Sequence, residues 1–228
     1  MAADNEFPAR PSHAQSHVQS HVQNNAPNYA PPIAVALTGA SGVQYGLRLI
    51  ECLIGAGHEV YVLVSKAAHR VIAVETDIDL PAQPDRLARD LTARFGAGEE
   101  QIRCFGREDW MAPVASGSGN WQALVICPCS TGTLSAVACG ASNNLIERAA
   151  DVALKERRPL ILVPRETPLS AVHLDNMLKL THMGAVMLPA APGFYHRPDS
   201  VEAMIDFIVA RILNQLGIAQ TLMPRWGA

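Results

Sequence analysis

The sequence predicts an α/β domain, a three-layer sandwich with a mostly parallel central sheet. Two short apolar runs, residues 124–127 and 160–163, flank a stretch predicted to be helical from about Asn143 to Arg158. Strands joined by a crossover helix are parallel, and the connection is right-handed. Both runs are continuously apolar, as expected of strands that are buried on both faces.

A second β-loop-α-β unit opens the domain. An apolar strand over residues 33–37 leads into a glycine turn, a helix over 43–56 that Gly57 ends, and a strand over 59–64. The glycine turn allows the backbone to approach a ligand at a helix N-terminus. Its spacing departs from the dinucleotide fingerprint G-x-G-x-x-G, and Ser65 stands where an acidic residue would hold a ribose. The turn therefore favours a mononucleotide such as FMN over NAD.

The later elements follow from apolar periodicity and from turn residues. Helices are predicted over residues 66–75, 87–95, 170–181 and 200–216, and short strands over 102–105 and 185–188. Pro81 and Pro84 are interpreted as breaks before the 87–95 helix. Residues 1–32 are polar and are predicted to be a disordered extension. The folded domain then spans residues 33–216, and residues 217–228 form a tail that we expect to dock on a neighbouring subunit.

Composition and charge argue against several classes of protein. A formal net charge of −3 argues against a broad nucleic-acid or membrane footprint. No apolar run approaches the roughly 18 residues of a membrane span, and no signal peptide is visible, so a cytoplasmic location is expected.

The cysteines and histidines do not form a recognisable metal motif. Five cysteines in an α/β pattern indicate reduced thiols. Cys127 and Cys129 do not have C-x-x-C spacing, so we interpret them as buried thiols at a strand end. Three histidines recur every four residues near the N-terminus, where the polar composition disfavours a helix, and no metal site is predicted there: His13, His17 and His21.

Polar and charged side chains gather at the carboxyl edge of the predicted sheet, where open α/β sheets hold ligands. Hydroxyls follow the 124–127 strand, and a cation and a carboxylate follow the 160–163 strand: Ser130, Thr131, Thr133, Arg165 and Glu166. Arg148 and Lys155 are seven residues apart on the helix and project from nearly the same face. Three cations can therefore meet one anion. The alternative, which the residues leave open, is local ion pairing with Glu147, Asp151 and Glu156.

Several long motifs, taken together and in this order, resemble the UbiX family of flavin prenyltransferases. They span the chain from about Ile33 to its C-terminus and are Thr38-Gly-Ala-Ser-Gly42, Asp109-Trp-Met-Ala-Pro113, Ala115-Ser-Gly-Ser118, Cys127-Pro-Cys-Ser-Thr-Gly-Thr-Leu-Ser135, Asn143 through Lys155, Pro164-Arg-Glu166, Pro192-Gly-Phe-Tyr-His196 and Pro224-Arg-Trp226.

The resemblance implies a metal-independent enzyme that joins dimethylallyl monophosphate to N5 and C6 of reduced FMN. The product, prenylated FMN, serves UbiD-type decarboxylases, including the one in ubiquinone biosynthesis. The resemblance also implies a Rossmann-like or flavodoxin-like sheet in a homo-oligomer, expected to be a dodecamer, with sites at subunit interfaces.

The resemblance assigns roles to residues at the matching positions. Phosphate-binding residues are Ser116, Gly117, Arg148, Lys155, Arg165 and Tyr195. Residues that act on the reacting atoms are Lys155, Arg148, Glu166, Trp110 and, as an assistant, Glu75. FMN-binding residues are Gly39, Ala40, Ser41, Ser65, Ser130, Thr131, Thr133 and Arg148, and Trp226 is expected to close the pocket.

Two alternative functions remain at this point. One is an FMN-dependent decarboxylase of the same fold family, which uses a histidine after the first strand that Gly42-Val-Gln-Tyr-Gly46 lacks. The other is a non-catalytic flavin carrier, which binds FMN without converting it.

Overall fold

A computed structural model describes residues 29–224 and 227, which contain one parallel sheet of six strands. The strands are β1 (Ala30–Leu37), β2 (His58–Val64), β3 (Ile102–Phe105), β4 (Ala123–Cys129), β5 (Leu160–Pro164) and β6 (Val186–Met187). The helices are α1 (Val43–Gly55), α2 (Lys66–Glu75), α3 (Pro84–Phe95), α4 (Thr131–Ala138), α5 (Leu145–Lys155), α6 (Ala171–His182) and α7 (Val201–Gln215).

The strand order is β3-β2-β1-β4-β5-β6, and every pairing is parallel. This is the doubly wound order, in which the chain reverses direction across the sheet between β1 and β4. One apolar cluster packs α1, α2, α3 and α7 on one face, and a second packs α4, α5 and α6 on the other. The predicted three-layer α/β sandwich with a parallel sheet is confirmed.

Close packing of α1 brings its N-terminus to this reversal point. A Cβ on Gly46 would overlap the Cys127 carbonyl oxygen and a Leu37 methyl group, so only glycine fits between the helix and the ends of β1 and β4. The end of α1 is also as predicted, since Gly57 has a φ of 79° in the left-handed region just past the helix.

The prediction of a single crossover helix between β4 and β5 was wrong. The connection contains two helices, because Ser130 accepts a hydrogen bond from Thr133 N and begins α4, and Asn144 accepts one from Glu147 N and begins α5. Gly140, with a φ of 71°, lies between them. The polar residues after β4 therefore form a helix N-terminus and not a loop.

Three element boundaries also differ from the prediction. The first strand begins at Ala30, inside the predicted 1–32 extension, because Ala30 N donates to Gly57 O at 2.9 Å. Pro84 begins α3 instead of interrupting the chain before it, as suits the first turn of a helix, where no N–H is needed. The last strand is shorter than predicted. None of the helices in residues 29–224 is long and apolar enough to cross a membrane.

Candidate active site

Thr38 joins the ends of β1 and β4 at the reversal point. Its hydroxyl donates to Pro128 O at 2.8 Å and accepts from Ser130 N at 2.8 Å, and the side chain is buried. One residue thus fixes the two turns that border the site. Sequence analysis placed Thr38 in a motif without giving it this role, although a hydroxyl directly after a buried strand was a usable signal.

Glu75 caps the N-terminus of α1. Its Oε2 accepts from Gly42 N at 2.9 Å and from Val43 N at 3.4 Å. A carboxylate at these amides satisfies donors that a dinucleotide pyrophosphate takes in the fingerprint motif. The geometry therefore places Glu75 at the helix that follows β1, and it gives a physical reason why this turn does not suit a pyrophosphate.

The turn after β1 is tightly packed and contacts the end of β5. A Cβ on Gly39 would lie 2.5 Å from Ala67 Cβ, so the backbone there lies directly on α2. Arg165 Nε donates to Ser41 O at 3.3 Å, which brings β5 to the same turn. Glu166 follows, and its Oε1 accepts from Thr167 N at 3.1 Å.

Three helices, α1, α2 and α4, begin directly after β1, β2 and β4 at this edge of the sheet. Ser65 Oγ caps α2 by accepting from Ala68 N at 3.1 Å, and Ser130 Oγ lies 3.0 Å from Thr133 Oγ1 at the start of α4. Helix N-termini carry partial positive charge and attract anions. The predicted flavin-binding hydroxyls therefore lie where a phosphate is favoured.

A cavity of about 260 Å³ opens beside these hydroxyls. Its wall is mainly apolar by exposed area but also carries polar and charged side chains, among them Lys66, Arg107 and Glu147. Such a mixture is usual for a site that holds an organic ligand. The lining includes Ser65 and Thr133 from the predicted set together with Leu63, Phe105, Leu145 and Ile146.

A second group of polar residues surrounds the segment 113–119. Arg148 Nε donates to Ala115 O at 3.0 Å, and Lys155 Nζ lies 3.0 Å from the position of a Cβ on Gly117. Both cations therefore lie near the same segment, with Glu156 Oε1 nearer to Gly117 than Lys155 Nζ is. Ser116 Oγ lies 3.0 Å from Ser118 Oγ within it.

The local ion pairs of the alternative interpretation are also present in part. Arg148 NH1 lies 2.8 Å from Asp151 Oδ2, and Lys155 pairs with Glu156, whose pKa it lowers. Glu147 instead accepts from Asn143 N at 2.8 Å. The cations therefore contact both the 113–119 segment and neighbouring carboxylates.

Sequence analysis missed Arg158, which lies beside this segment. Its NH2 donates to Gly117 O at 2.6 Å and to Gly119 O at 3.0 Å. Its guanidinium carbon lies 4.2 Å from the centre of the Trp121 ring. Nothing in the local sequence distinguishes Arg158 from Arg157, because the contact is between residues about 40 positions apart.

The other predicted residues are placed as follows. Arg165 contacts the β1 turn, whereas Arg148 and Lys155 contact the 113–119 segment, and none of the three lines the 260 Å³ cavity. Their convergence on one anion stays a prediction. Trp110 is 48% exposed and Tyr195 is 56% exposed, with the Tyr195 ring edge-on to Phe207 at 5.7 Å. Trp226 lies outside the described residues.

Cys127 and Cys129 are buried, as predicted for thiols at a strand end. Burial raises the pKa of Cys129 to about 12 and also raises that of Cys127. Within residues 29–224 no group of three or more His, Cys, Asp and Glu side chains is arranged to hold a metal ion. His13, His17 and His21, where no metal site is predicted, lie outside the described part of the chain.

Comparisons with known proteins agree on one family. Residues 21–213 match the family model described as Flavoprotein. The flavin prenyltransferase UbiX of Pseudomonas aeruginosa is 67% identical over 195 residues, which cover 86% of this chain and 93% of that protein. A relative from Halalkalibacterium halodurans with the same name is 47% identical over 193 residues, covering 85% of this chain and 92% of the relative.

Solved structures give the same result. AnUbiX in complex with FMN and dimethylallyl pyrophosphate is 39% identical, with a TM-score of 0.77, covering 87% of this chain and 98% of that one. A dodecameric FMN-dependent UbiX-like decarboxylase from Escherichia coli is 37% identical with a TM-score of 0.75. The match covers 86% of this chain and 99% of that one. The cysteine decarboxylase TvaF is only 19% identical, a likeness that shows the fold alone.

Proposed function

The chain belongs to the UbiX family of flavin prenyltransferases, and we propose that it transfers a dimethylallyl group from dimethylallyl monophosphate to N5 and C6 of reduced FMN. The geometric observation that supports this is the hydrogen bond of Arg148 to Ala115 O and the proximity of Lys155 to Gly117, which place two cations beside the Ser116 hydroxyl and the backbone of this segment. This is a donor set suited to a phosphate monoester.

The residues at the carboxyl edge fit an FMN. The N-termini of α2 and α4 and the hydroxyls of Ser65, Ser130 and Thr133 offer donors to the ribityl phosphate. The mainly apolar cavity beside them suits the isoalloxazine ring. The flavin, when bound, supplies the electron-rich N5 and C6. Of the other residues predicted to bind FMN, Gly39, Ala40 and Ser41 form the tight turn after β1.

The chemistry that the chain must support is the departure of phosphate. Overall, the allylic C–O bond breaks and its electron pair leaves with the phosphate. N5 and C6 each lose a proton and gain a bond to carbon, the allyl C=C bond is consumed and takes up one proton, and one proton is released in balance. Fixed cations near the departing oxygen stabilise its growing charge. Arg148, Lys155 and Arg165 take this role, with Ser116, Gly117 and Tyr195 as further donors.

The ion pairs of Arg148 with Asp151 and of Lys155 with Glu156 do not prevent these cations from stabilising the departing phosphate. The Lys155 side chain is 47% exposed, and an exposed ion pair contributes little net free energy. Lys155 therefore exchanges Glu156 for a doubly charged phosphate at low cost. Arg148 keeps its contact with Ala115 O through Nε while NH1 is released from Asp151.

Other predicted residues act on the allyl group and on protons. The π face of Trp110 stabilises the cation-like allyl carbon, and Trp226 closes the pocket. Glu166 accepts or returns the proton at N5 or C6, and Glu75 supports α1 beside the flavin.

We further propose that the chain assembles as a homododecamer with sites at subunit interfaces, resides in the cytoplasm and passes its product to a UbiD-type decarboxylase. The dodecameric E. coli structure supports the first statement.

Mass spectrometry of the flavin tests the proposed reaction. Purified protein is given reduced FMN with dimethylallyl monophosphate, with the pyrophosphate or with no donor. We expect the flavin to gain one isoprene unit with the monophosphate. Bound but unaltered FMN with both donors would instead identify a flavin carrier.

A further inference from the structure

The half-buried Arg158 holds the 113–119 segment by hydrogen bonds to its backbone. One nitrogen donates to two carbonyls, Gly117 O at 2.6 Å and Gly119 O at 3.0 Å. The flat guanidinium lies on Trp121, which is 4% exposed, at 4.2 Å. Hydrogen bonds from a charged donor are about twice as strong as neutral ones, and the stacking fixes the plane of the donor.

Arg148 also reaches the segment, at Ala115 O, and short local bonds close the turn itself. Ser118 N donates to Ser116 Oγ at 3.3 Å, and Gly119 N donates to Ser116 O at 3.1 Å. At Gly119 a Cβ would overlap the Pro113 carbonyl group, so the turn is closed tightly on itself. Arg158 is the side chain that ties both ends of this turn, Gly117 and Gly119, to the body of the domain.

We propose that Arg158 is a positioning residue for substrate phosphate: by fixing the carbonyls of Gly117 and Gly119, it sets the direction of the Ser116 hydroxyl and the Gly117 amide. This inference rests on the proposed function, which assigns phosphate binding to Ser116 and Gly117. Arg158 is given no substrate contact in this proposal: its NH2 donates to the segment's carbonyls, and its NH1 is buried without a hydrogen-bond partner among the described residues.

The geometry requires arginine and not merely a positive charge. A lysine ammonium is a compact charge on a flexible stem and does not stack as a plane on Trp121. Lysine can replace one of the two hydrogen bonds but cannot fix the direction from which the donor approaches. Arg158→Lys is therefore expected to fall between the wild type and Arg158→Met.

The test compares Arg158→Met, Arg158→Lys and the control Arg157→Met. Arg157 is the adjacent arginine and is exposed, so its variant removes the same charge without breaking these contacts. For Arg158→Met we expect the KM for dimethylallyl monophosphate to rise about tenfold or more, because a small misplacement of a binding group is costly. The dissociation constant for FMN should change less than about twofold, and Arg157→Met should behave as the wild type.

Hydrogen–deuterium exchange provides a readout that does not depend on the reaction. Amides of the peptide covering residues 113–121 should exchange faster in Arg158→Met than in Arg157→Met, even if the wild type does not prenylate FMN. If these amides exchange faster in Arg158→Met but the wild type does not prenylate FMN, the proposed function is wrong and the structural role of Arg158 stands. An unchanged KM for the phosphate donor, or an equal loss of FMN affinity, in a folded Arg158→Met protein would overturn the positioning role.

Discussion

At the scale of single residues, Lys155 combines a resting partner with an expected substrate contact. It pairs with Glu156 and lies against Gly117. We expect Lys155→Ala to lower kcat for prenyl transfer by about a hundredfold to a thousandfold, as is usual when one charge-stabilising donor is removed. FMN should remain bound, since Lys155 does not line the cavity. Single-turnover product formation and flavin fluorescence measure the two effects.

Arg157→Ala serves as the matched control for Lys155→Ala, because it removes a cation two residues away on the exposed side of the chain. It should retain turnover. Undiminished turnover in both Lys155→Ala and Arg148→Ala would count against the assignment of the phosphate site.

The cysteines give a second prediction for individual residues, in which pH is the variable. Burial raises the pKa of Cys104 and of Cys129 to about 12, so both thiols stay protonated and unreactive between about pH 7 and pH 10. Alkylation with iodoacetamide should modify the exposed Cys139 first. Peptide mass spectrometry reads the order, and labelling of Cys129 before Cys139 in the native protein would refute it.

At the scale of elements, alanine substitutions at two glycines of α1 are expected to change the stability of the protein in opposite directions. Gly46→Ala places a methyl group against the Cys127 carbonyl and Leu37 and should destabilise the protein by about 1–3 kcal/mol. Gly55→Ala, in the same helix with nothing within 4 Å, should have no packing cost and stabilise by up to about 1 kcal/mol.

Thermal unfolding of the two alanine variants, with and without FMN, measures this difference. The midpoint should fall for Gly46→Ala and hold or rise for Gly55→Ala. Equal midpoints would mean that the approach of α1 to the reversal point is not as close as described.

Apolar periodicity predicted most elements of the fold but missed α4. Continuous apolar runs identify strands such as β4 and β5 because their packing is encoded locally. The start of α4 depends on Ser130 acting as a cap, and Ser-Thr-Gly-Thr has a composition equally typical of a loop. The segment's glycines added to this ambiguity.

At the scale of the whole molecule, α6 presents apolar side chains that the single chain leaves exposed. Val172, Leu174 and Leu178 are each more than half exposed on this helix. Such a patch marks an interaction surface, and the proposed assembly provides a partner of the same sequence. We expect Leu178→Asp to shift the protein to smaller species in analytical ultracentrifugation.

The control for Leu178→Asp is Ala93→Asp, which adds the same charge to the exposed side of α3. It should leave the sedimentation coefficient unchanged. An intact large oligomer in folded Leu178→Asp would show that α6 is not an essential contact.

The candidate site could be predicted from sequence only in part. The spacing of Arg148 and Lys155 on one helix predicted their common surroundings, because helical geometry is local. Thr38 and Arg158 were missed because their partners, Pro128, Gly117 and Gly119, are reached only through the tertiary fold.

The most direct test of the central claim is the release of phosphate coupled to formation of the flavin product, measured in one reaction with excess EDTA. If the side chains of Arg148, Lys155 and Arg165 stabilise the departing phosphate, one phosphate should appear for each flavin that gains one isoprene unit, at a rate that EDTA does not change. A reaction that stops with EDTA and returns with Mg²⁺, or phosphate release without a heavier flavin, would contradict the account.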